Sequence, residues 1–193
     1  MDRDPEEFFV WDCDPGNSNT REPLRVRNIR SFDEFEFKNG VRHARTPPCM
    51  ELEIASKRVL TDYLFNVLGY PLFSPRLRAA LMEAGIEDIE YSPARLVTQR
   101  GRLVRDDYMV GNVLGLVTCF DWERSRYDPT YRPYGLADRI EKLVLDMGAL
   151  AGHRLCRMQE NPGVLLVAGS LRVQLLDEGM TGIVFIPIDD YSQ

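Results

Sequence analysis

The stretch between Ser74-Pro75 and Gly85 constrains this chain more than any other. Serine is a favoured N-cap, proline suits the first helical position, and glycine accepts the left-handed conformation that stops a helix. Between those bounds Leu77, Ala80, Leu81 and Ala84 recur at three- and four-residue spacing, while Arg76, Arg78 and Glu83 are expected to face water. The apolar approach Pro71-Leu72-Phe73 leads into the helix, and Ile86 to Tyr91 leads out of it as a strand before Pro93. So short a helix buries a single stripe and needs a sheet to lie on.

Shifting the sequence by 94 positions reproduces this order, with identities at Leu77/Leu171, Arg78/Arg172, Leu81/Leu175, Gly85/Gly179, Ile89/Ile183 and Pro93/Pro187. Met82/Leu176, Glu83/Asp177, Ile86/Met180 and Tyr91/Phe185 are conservative matches. The pattern fits an internal duplication of a helix-strand unit. It also fits any helix set between two strands, and both readings stand at this point. Either way the fold class expected is α+β, a mostly antiparallel sheet with helices packed on one face.

Elsewhere the signals are for strands and turns. Phe8 to Asp12, Leu24 to Ile29, Phe32 to Phe37 and the alternating Met50 to Ile54 read as strands, with turns at Asp14-Pro15-Gly16-Asn17 and Asn39-Gly40 and a break at Thr46-Pro47-Pro48. Thr61 to Leu68 reads as a short helix, because Tyr63, Leu64, Val67 and Leu68 share a face. Tyr108 to Phe120 reads as a strand. Ile140 to Asp146 fits a helical stripe (Ile140, Leu143, Val144 and Met147) as well as a buried strand at Leu143-Val144-Leu145; with Gly148 and Gly152 alongside, a short strand is preferred, then a turn near Met147 to Ala151 and a strand through Leu155 to Met158. Residues 1–50 are expected to form an N-terminal β-rich segment packed on a main domain of residues 51–193.

Composition narrows the class. The 193 residues are 44% hydrophobic and 28% charged with a net charge of -6, which suits a folded globular chain. The longest apolar runs, such as Val164 to Ala168 and Ile183 to Ile188, are far shorter than the roughly 18–20 residues of a bilayer span, so no membrane partner is expected. The acidic start Met1-Asp2-Arg3-Asp4-Pro5-Glu6-Glu7 is unlike a secretory signal, and a cytoplasmic location is expected. Cys13, Cys49, Cys119 and Cys156 have no paired spacing and read as reduced thiols; with only His43 and His153 beside them, no metal or cofactor is expected. Basic residues are 21 arginines and three lysines (Lys38, Lys57, Lys142), dispersed and outnumbered by acids, so no nucleic-acid partner is expected. The one local cluster, Arg95 to Arg105 around Gly101, reads as a solvated turn.

No G-x-S-x-G, H-E-x-x-H, G-x-G-x-x-G or G-x-x-x-x-G-K-[ST] occurs. A rival reading is a small enzyme using Asp121, His153 or Cys156, and another is a self-associating scaffold, which leaves homo-oligomerisation open. Two features point to protein binding. Acidic groups recur (Asp2, Asp4, Glu6 and Glu7; Asp33, Glu34 and Glu36; Glu83, Glu87, Asp88 and Glu90) and create a field that attracts a basic partner. The loop-like stretch Phe120 to Tyr134 is dense in aromatics and arginine, the residue types that anchor interfaces. Trp122, Tyr127, Tyr131 and Tyr134 are the candidate anchors, with Asp121, Glu123 and Asp128 as charged neighbours. The same composition also fits a loop folded back on its own core.

Short motifs recur in a definite order: Thr61-Asp62-Tyr63-Leu64 with Asn66; Pro71-Leu72-Phe73-Ser74, Leu77, Leu81 and Gly85; Ile89-Glu90-Tyr91; Asn112-Val113-Leu114; Phe120-Asp121-Trp122 through Ser125; Leu143-Val144-Leu145-Asp146; and Gly179-Met180-Thr181-Gly182 with Phe185 and Pro187. Over roughly residues 50–190 this order resembles an immunity-protein family of bacterial polymorphic toxin systems, formerly a domain of unknown function. The first 50 residues match only loosely, and the second helix is entered through Val167-Ala168-Gly169-Ser170. The resemblance implies a non-enzymatic cytoplasmic antidote that binds a cognate toxin protein and occludes its active or substrate site. It brings no catalytic residues.

Overall fold

The computed structural model describes residues 6–14, 23–33, 37–55 and 59–193. Among them the strands and α-helices run β1 (Phe8–Cys13), β2 (Arg25–Val26), β3 (Met50–Ile54), β4 (Leu72–Phe73), α1 (Pro75–Glu83), β5 (Ile89–Thr98), β6 (Leu103–Arg105), β7 (Met109–Val113), β8 (Leu116–Val117), β9 (Arg126–Asp128), β10 (Asp138–Lys142), β11 (Leu155–Met158), β12 (Asn161–Ala168), α2 (Gly169–Asp177) and β13 (Ile183–Pro187). The fold is mixed and strand-rich, with antiparallel pairs predominating over the parallel pairs β3–β5 and β8–β11. The chain divides into two units. One comprises Cys13–Leu114 with Asp177–Val184; the other takes the N-terminal stretch through Asp12, Gly115–Leu176 and Phe185–Gln193.

In the first unit the sheet order is β2-β3-β5-β7-β4, with β6 paired to β5. Its core joins Leu52, Leu72, Leu96 and Val110 from the strands to Phe37, Leu64 and Tyr70 from the connections. Helix α1 starts where expected: the Ser74 hydroxyl accepts the Leu77 N–H and Pro75 takes the first turn. Gly85, at φ +75°, ends it. Leu77 and Leu81 are fully buried. Of the two arginines expected to face water, Arg76 does so and Arg78 only in part. Arg78 is half-buried with its guanidinium 5.8 Å from the Tyr91 ring, and Arg76 donates to Asp62 at 3.0 Å.

Several expectations along residues 32–120 change. Thr61–Leu68 is not helical: Tyr63 bridges Phe73, Asn66 bridges Leu24, and the Asn66 carboxamide binds Leu68, Tyr70 N–H and Tyr70 C=O, so tertiary bonds override the helical spacing. Pro93 does not end its strand; β5 continues to Thr98 because its neighbour changes there, from β7 up to Pro93 to β3 and β6 beyond it. Tyr108 to Phe120 is two strands, β7 and β8, separated at Leu114-Gly115. Arg95 to Arg105 is a β-hairpin, with Arg95 inside β5 and Arg105 inside β6. Of the Phe32 to Phe37 strand, Phe32 and Phe37 lie in bends and turns. Its middle, together with Pro15-Gly16-Asn17, Lys57 and the acids Asp2, Asp4, Glu34 and Glu36, lies outside the described residues.

The second unit carries the sheet β13-β1-β12-β11-β8 and the pair β10-β9. Its core gathers Phe8 and Val10, Phe120, Ile140, Leu143, Leu145, Leu150, Cys156, Met158 and Leu166. Strand β11 and the turn before it match the expectation; the strand expected at Leu143–Leu145 lies just upstream as β10, and only Leu145 keeps a bridge, to Phe120.

Each unit contains the same small motif. Helices α1 and α2 begin 94 residues apart, as do β5 and β13. Strand β7 lies between β4 and β5, and β1 lies between β12 and β13. The registers agree: Leu72 faces Val110 and Phe73 faces Met109, while Leu166 faces Val10 and Val167 faces Phe9. Equivalent arginines even share a partner position, since Arg78 Nη1 lies 3.3 Å from Met109 Sδ and Arg172 stacks 4.5 Å from the Phe9 ring. The inserted strand follows the helix in one copy and opens the chain in the other.

Candidate functional site

The aromatic stretch is anchored in the second unit. Phe120 bridges Leu145, the Asp121 N–H donates to Val144 C=O at 3.0 Å, and the Asp146 N–H donates to Cys119 C=O at 2.7 Å. Ser125 is buried and doubles the clasp, its hydroxyl donating to Val144 C=O at 3.2 Å and accepting the Val144 N–H at 3.0 Å. The Asp121 Oδ1 then accepts the Glu123 and Arg124 N–H groups at 3.0 Å each, which fixes a tight turn. That turn sets Trp122 against Phe120 and Tyr127 in an edge-to-face triad, with ring centroids 4.8, 5.2 and 5.2 Å apart. Such pairs contribute about 0.5–1.5 kcal/mol each beyond burial.

Further on, Asp128 caps the 3-10 helix Pro129–Tyr134, its Oδ1 accepting from the Thr130 hydroxyl and N–H at 2.6 and 2.9 Å. Those bonds hold the Asp128 carboxyl below its ordinary range, with Arg139 adding to the effect. The short helix projects Tyr131 and Tyr134, 46% and 78% exposed. Arg132 turns back over Trp122 at 5.7 Å. An open cleft of about 700 Å³ is lined by Phe120 to Arg124, Arg132 and Leu145 to Gly148.

The seven residues expected to contact a partner therefore divide. Asp121 and Asp128 are committed to turns, Trp122 and Tyr127 are half-buried on the core, and Glu123, Tyr131 and Tyr134 are exposed. The stretch is more ordered than a loop, holding β9 and the 3-10 helix. Sequence reasoning missed Arg132 as the lid on Trp122 and the turn after Asp146 as a wall. The signal for the latter was there, since Asp146 accepts the Gly148 and Ala149 N–H groups as aspartate does in tight turns.

Of the rival trio, Asp121 spends its Oδ1 on the N–H groups of its own turn. Cys156 lies fully buried in β11, where burial pushes its thiol up to about 12, and His153 lies on an exposed turn. Among the described residues no group of three or more His, Cys, Asp or Glu is placed to hold a metal ion. No helix among them is long and apolar enough to cross a membrane.

In the first unit the patterned residues meet at Asp62. Its Oδ1 accepts the Ser74 hydroxyl at 2.9 Å; its Oδ2 accepts Arg76, the Thr181 N–H and the Thr181 hydroxyl at 3.0, 2.9 and 2.8 Å. Thr181 C=O in turn accepts the Tyr63 N–H at 3.1 Å. Gly182, at φ +80°, follows so closely that a Cβ there would strike the Tyr63 carbonyl oxygen and Thr61. Glu90 and Asn112 form a smaller cluster, in which Glu90 Oε2 accepts from the His43 N–H at 3.0 Å and lies 2.6 Å from His43 Nδ1.

Ser125, Asp62, Asn66 and Thr181 thus bind the chain to itself, and the cleft beside Trp122 has mixed charge and aromatic walls. The model of the Immunity protein family (Imm11) matches residues 12–190, and the chain belongs to that family. No curated protein matches it.

Proposed function

We propose that this chain is a non-catalytic antidote that binds a cognate toxin protein in the cytoplasm and covers the toxin's active or substrate site. Membership of the immunity family carries the reading. The face proposed for contact is the cleft between Trp122 and Met147 with the exposed tyrosines beside it. In its favour, Tyr134 and Tyr131 offer large rings with polar tips at low entropic cost, and Arg132 is held by Trp122 in an orientation it need not find on binding. Each helix is proposed to lie on one face of its unit's sheet, giving the surface a stiff support.

The test is calorimetric titration with the toxin encoded beside this gene. Tyr131→Ala and Tyr134→Ala are surface changes that leave the core intact, and loss of an anchor costs at least about 2 kcal/mol, or thirtyfold in Kd. Unchanged affinity in both would move the contact face elsewhere. A wild-type chain that does not bind the toxin would overturn the function itself.

A further inference from the structure

The hairpin of β5 and β6 has a composition unlike the rest of the chain. From Tyr91 to Arg105 there are four arginines (Arg95, Arg100, Arg102 and Arg105) and no acid, in a protein whose net charge is -6. Arg105 is neutralised by Asp107, its Nε donating at 3.0 Å. Arg100 and Arg102 are exposed and make no ion pair with any described residue. Their turn is held in place, because Arg27 Nη1 donates to the Gln99 carbonyl at 3.1 Å and the Thr98 hydroxyl accepts the Arg102 N–H at 3.1 Å.

Strand β6 beside them is an open edge. Among the described residues it pairs with β5 alone; all three of its residues are exposed, and Leu103 and Val104 are 50% and 42% exposed. The Thr98 N–H donates to Arg102 C=O at 2.9 Å, which makes the next pair, Val97 with Leu103, one whose members do not bond each other. The N–H and C=O of Leu103 therefore face away from β5 and lack a strand partner among the described residues. Outward-facing backbone, two apolar side chains and two guanidinium groups, none of them partnered among the described residues, lie together on one stiff turn.

We propose that this edge receives an extended, acidic segment of the toxin, which adds as a strand along β6 while its carboxylates meet Arg100 and Arg102. The inference rests on the antidote reading above and adds a second contact to it. A protein segment fits better than a nucleic acid: the backbone edge, Leu103 and Val104 offer nothing to a phosphate chain, and the overall negative charge repels one.

The experiment pairs Arg100→Glu/Arg102→Glu with Leu103→Ser and measures toxin association by surface plasmon resonance across a salt series. Hydrogen exchange over residues 95–105 is followed in the complex. The proposal expects the charge reversal to slow association about tenfold at low salt and to flatten its salt dependence, Leu103→Ser to speed dissociation, and exchange at Leu103 to slow on binding. If toxin binding and hairpin exchange are unchanged while the tyrosine variants lose affinity, this inference falls and the antidote reading stands. If the wild-type chain does not bind the toxin, both fall. A 20-nucleotide single-stranded RNA that binds wild type and not the charge-reversed variant, with the toxin indifferent to both, would reassign the hairpin to nucleic acid and overturn the proposal.

Discussion

Replacing Asp62 by alanine should loosen one unit of this protein and leave the other folded. The carboxylate is 8% exposed as a residue and accepts four hydrogen bonds at 2.8–3.0 Å. The Arg76 bond contributes little, because that side chain is 52% exposed and solvent screens it. The three bonds from Ser74 and Thr181 are better shielded, and each is worth about 1.5 kcal/mol or more as a bond to a charged acceptor. Since the two hydroxyls can turn to other acceptors, the expected loss is about 3–4 kcal/mol and not the full sum. Asp62→Asn should cost at least about 2 kcal/mol: an amide oxygen kept on Ser74 points its NH2 at the Thr181 donors, and the flipped amide strands Ser74. Tryptophan fluorescence will not report the change, because both tryptophans, Trp11 and Trp122, belong to the other unit. Hydrogen exchange read by mass spectrometry will. Peptides covering β5 and β7 should exchange more than a hundredfold faster at pH 7, as 1.4 kcal/mol is a factor of ten, while β11 and β12 keep their protection. A change under fivefold in β5 and β7 would refute the assignment of Asp62 as the knot of that unit.

Acid should weaken the same unit through Glu90. Burial acts to raise that carboxyl, but the His43 N–H and ring together with Asn112 outweigh it and hold it below its ordinary value of 4.5. A depressed folded value means stability that is present above the unfolded value and lost as pH falls through the folded one. Urea midpoints of wild type should therefore drop towards those of Glu90→Gln as pH falls below 4.5, and parallel curves would contradict the reasoning. Thiol labelling tests the packing of the second unit: Cys119 and Cys156 are buried with thiols pushed up by burial, whereas Cys13 and Cys49 are half-exposed. Iodoacetamide at pH 8 should add to no more than two cysteines of the native chain and to all four in urea, as read by intact mass. Modification of native Cys156 as fast as Cys13 would show that its strand opens freely.

Where sequence chemistry is local, it was legible. Ser74, Pro75 and Gly85 mark α1 by bonds made within a few residues, and Met50 to Ile54 alternates as a strand with one buried face should. Where distant residues decide, it was not. The spacing of Tyr63, Leu64, Val67 and Leu68 is helical, yet Asp62 is held by Thr181, 119 residues away, and a helix would break those bonds. The same holds at the cleft. Asp121 and Asp128 were legible as charged residues in an aromatic stretch, but that their oxygens are taken up by turn N–H groups follows from backbone geometry that composition does not carry. The wall at Met147 and Gly148 lies more than 20 residues downstream of Trp122 and comes beside it through the Phe120–Leu145 bridge and the bonds of Asp121, Ser125 and Asp146 across the two segments. The shift of 94 residues was visible as a pattern; its matching registers required the ladders, because the third strand of each copy comes from a different side of the helix in sequence.

That reversal of order has a price in time. Phe8 must find Ala168, a contact that closes 160 residues of chain and costs about 4.5 kcal/mol of entropy beyond a constant before any reward is felt. At roughly 5–20 residues per second, a nascent chain waits on the order of ten seconds or more with the run Phe8-Phe9-Val10-Trp11 unmatched. Cys13–Leu114, contiguous in sequence, can begin to collapse meanwhile. Prematurely terminated chains would then lack the partner for their own first strand and keep that apolar run without its ladder.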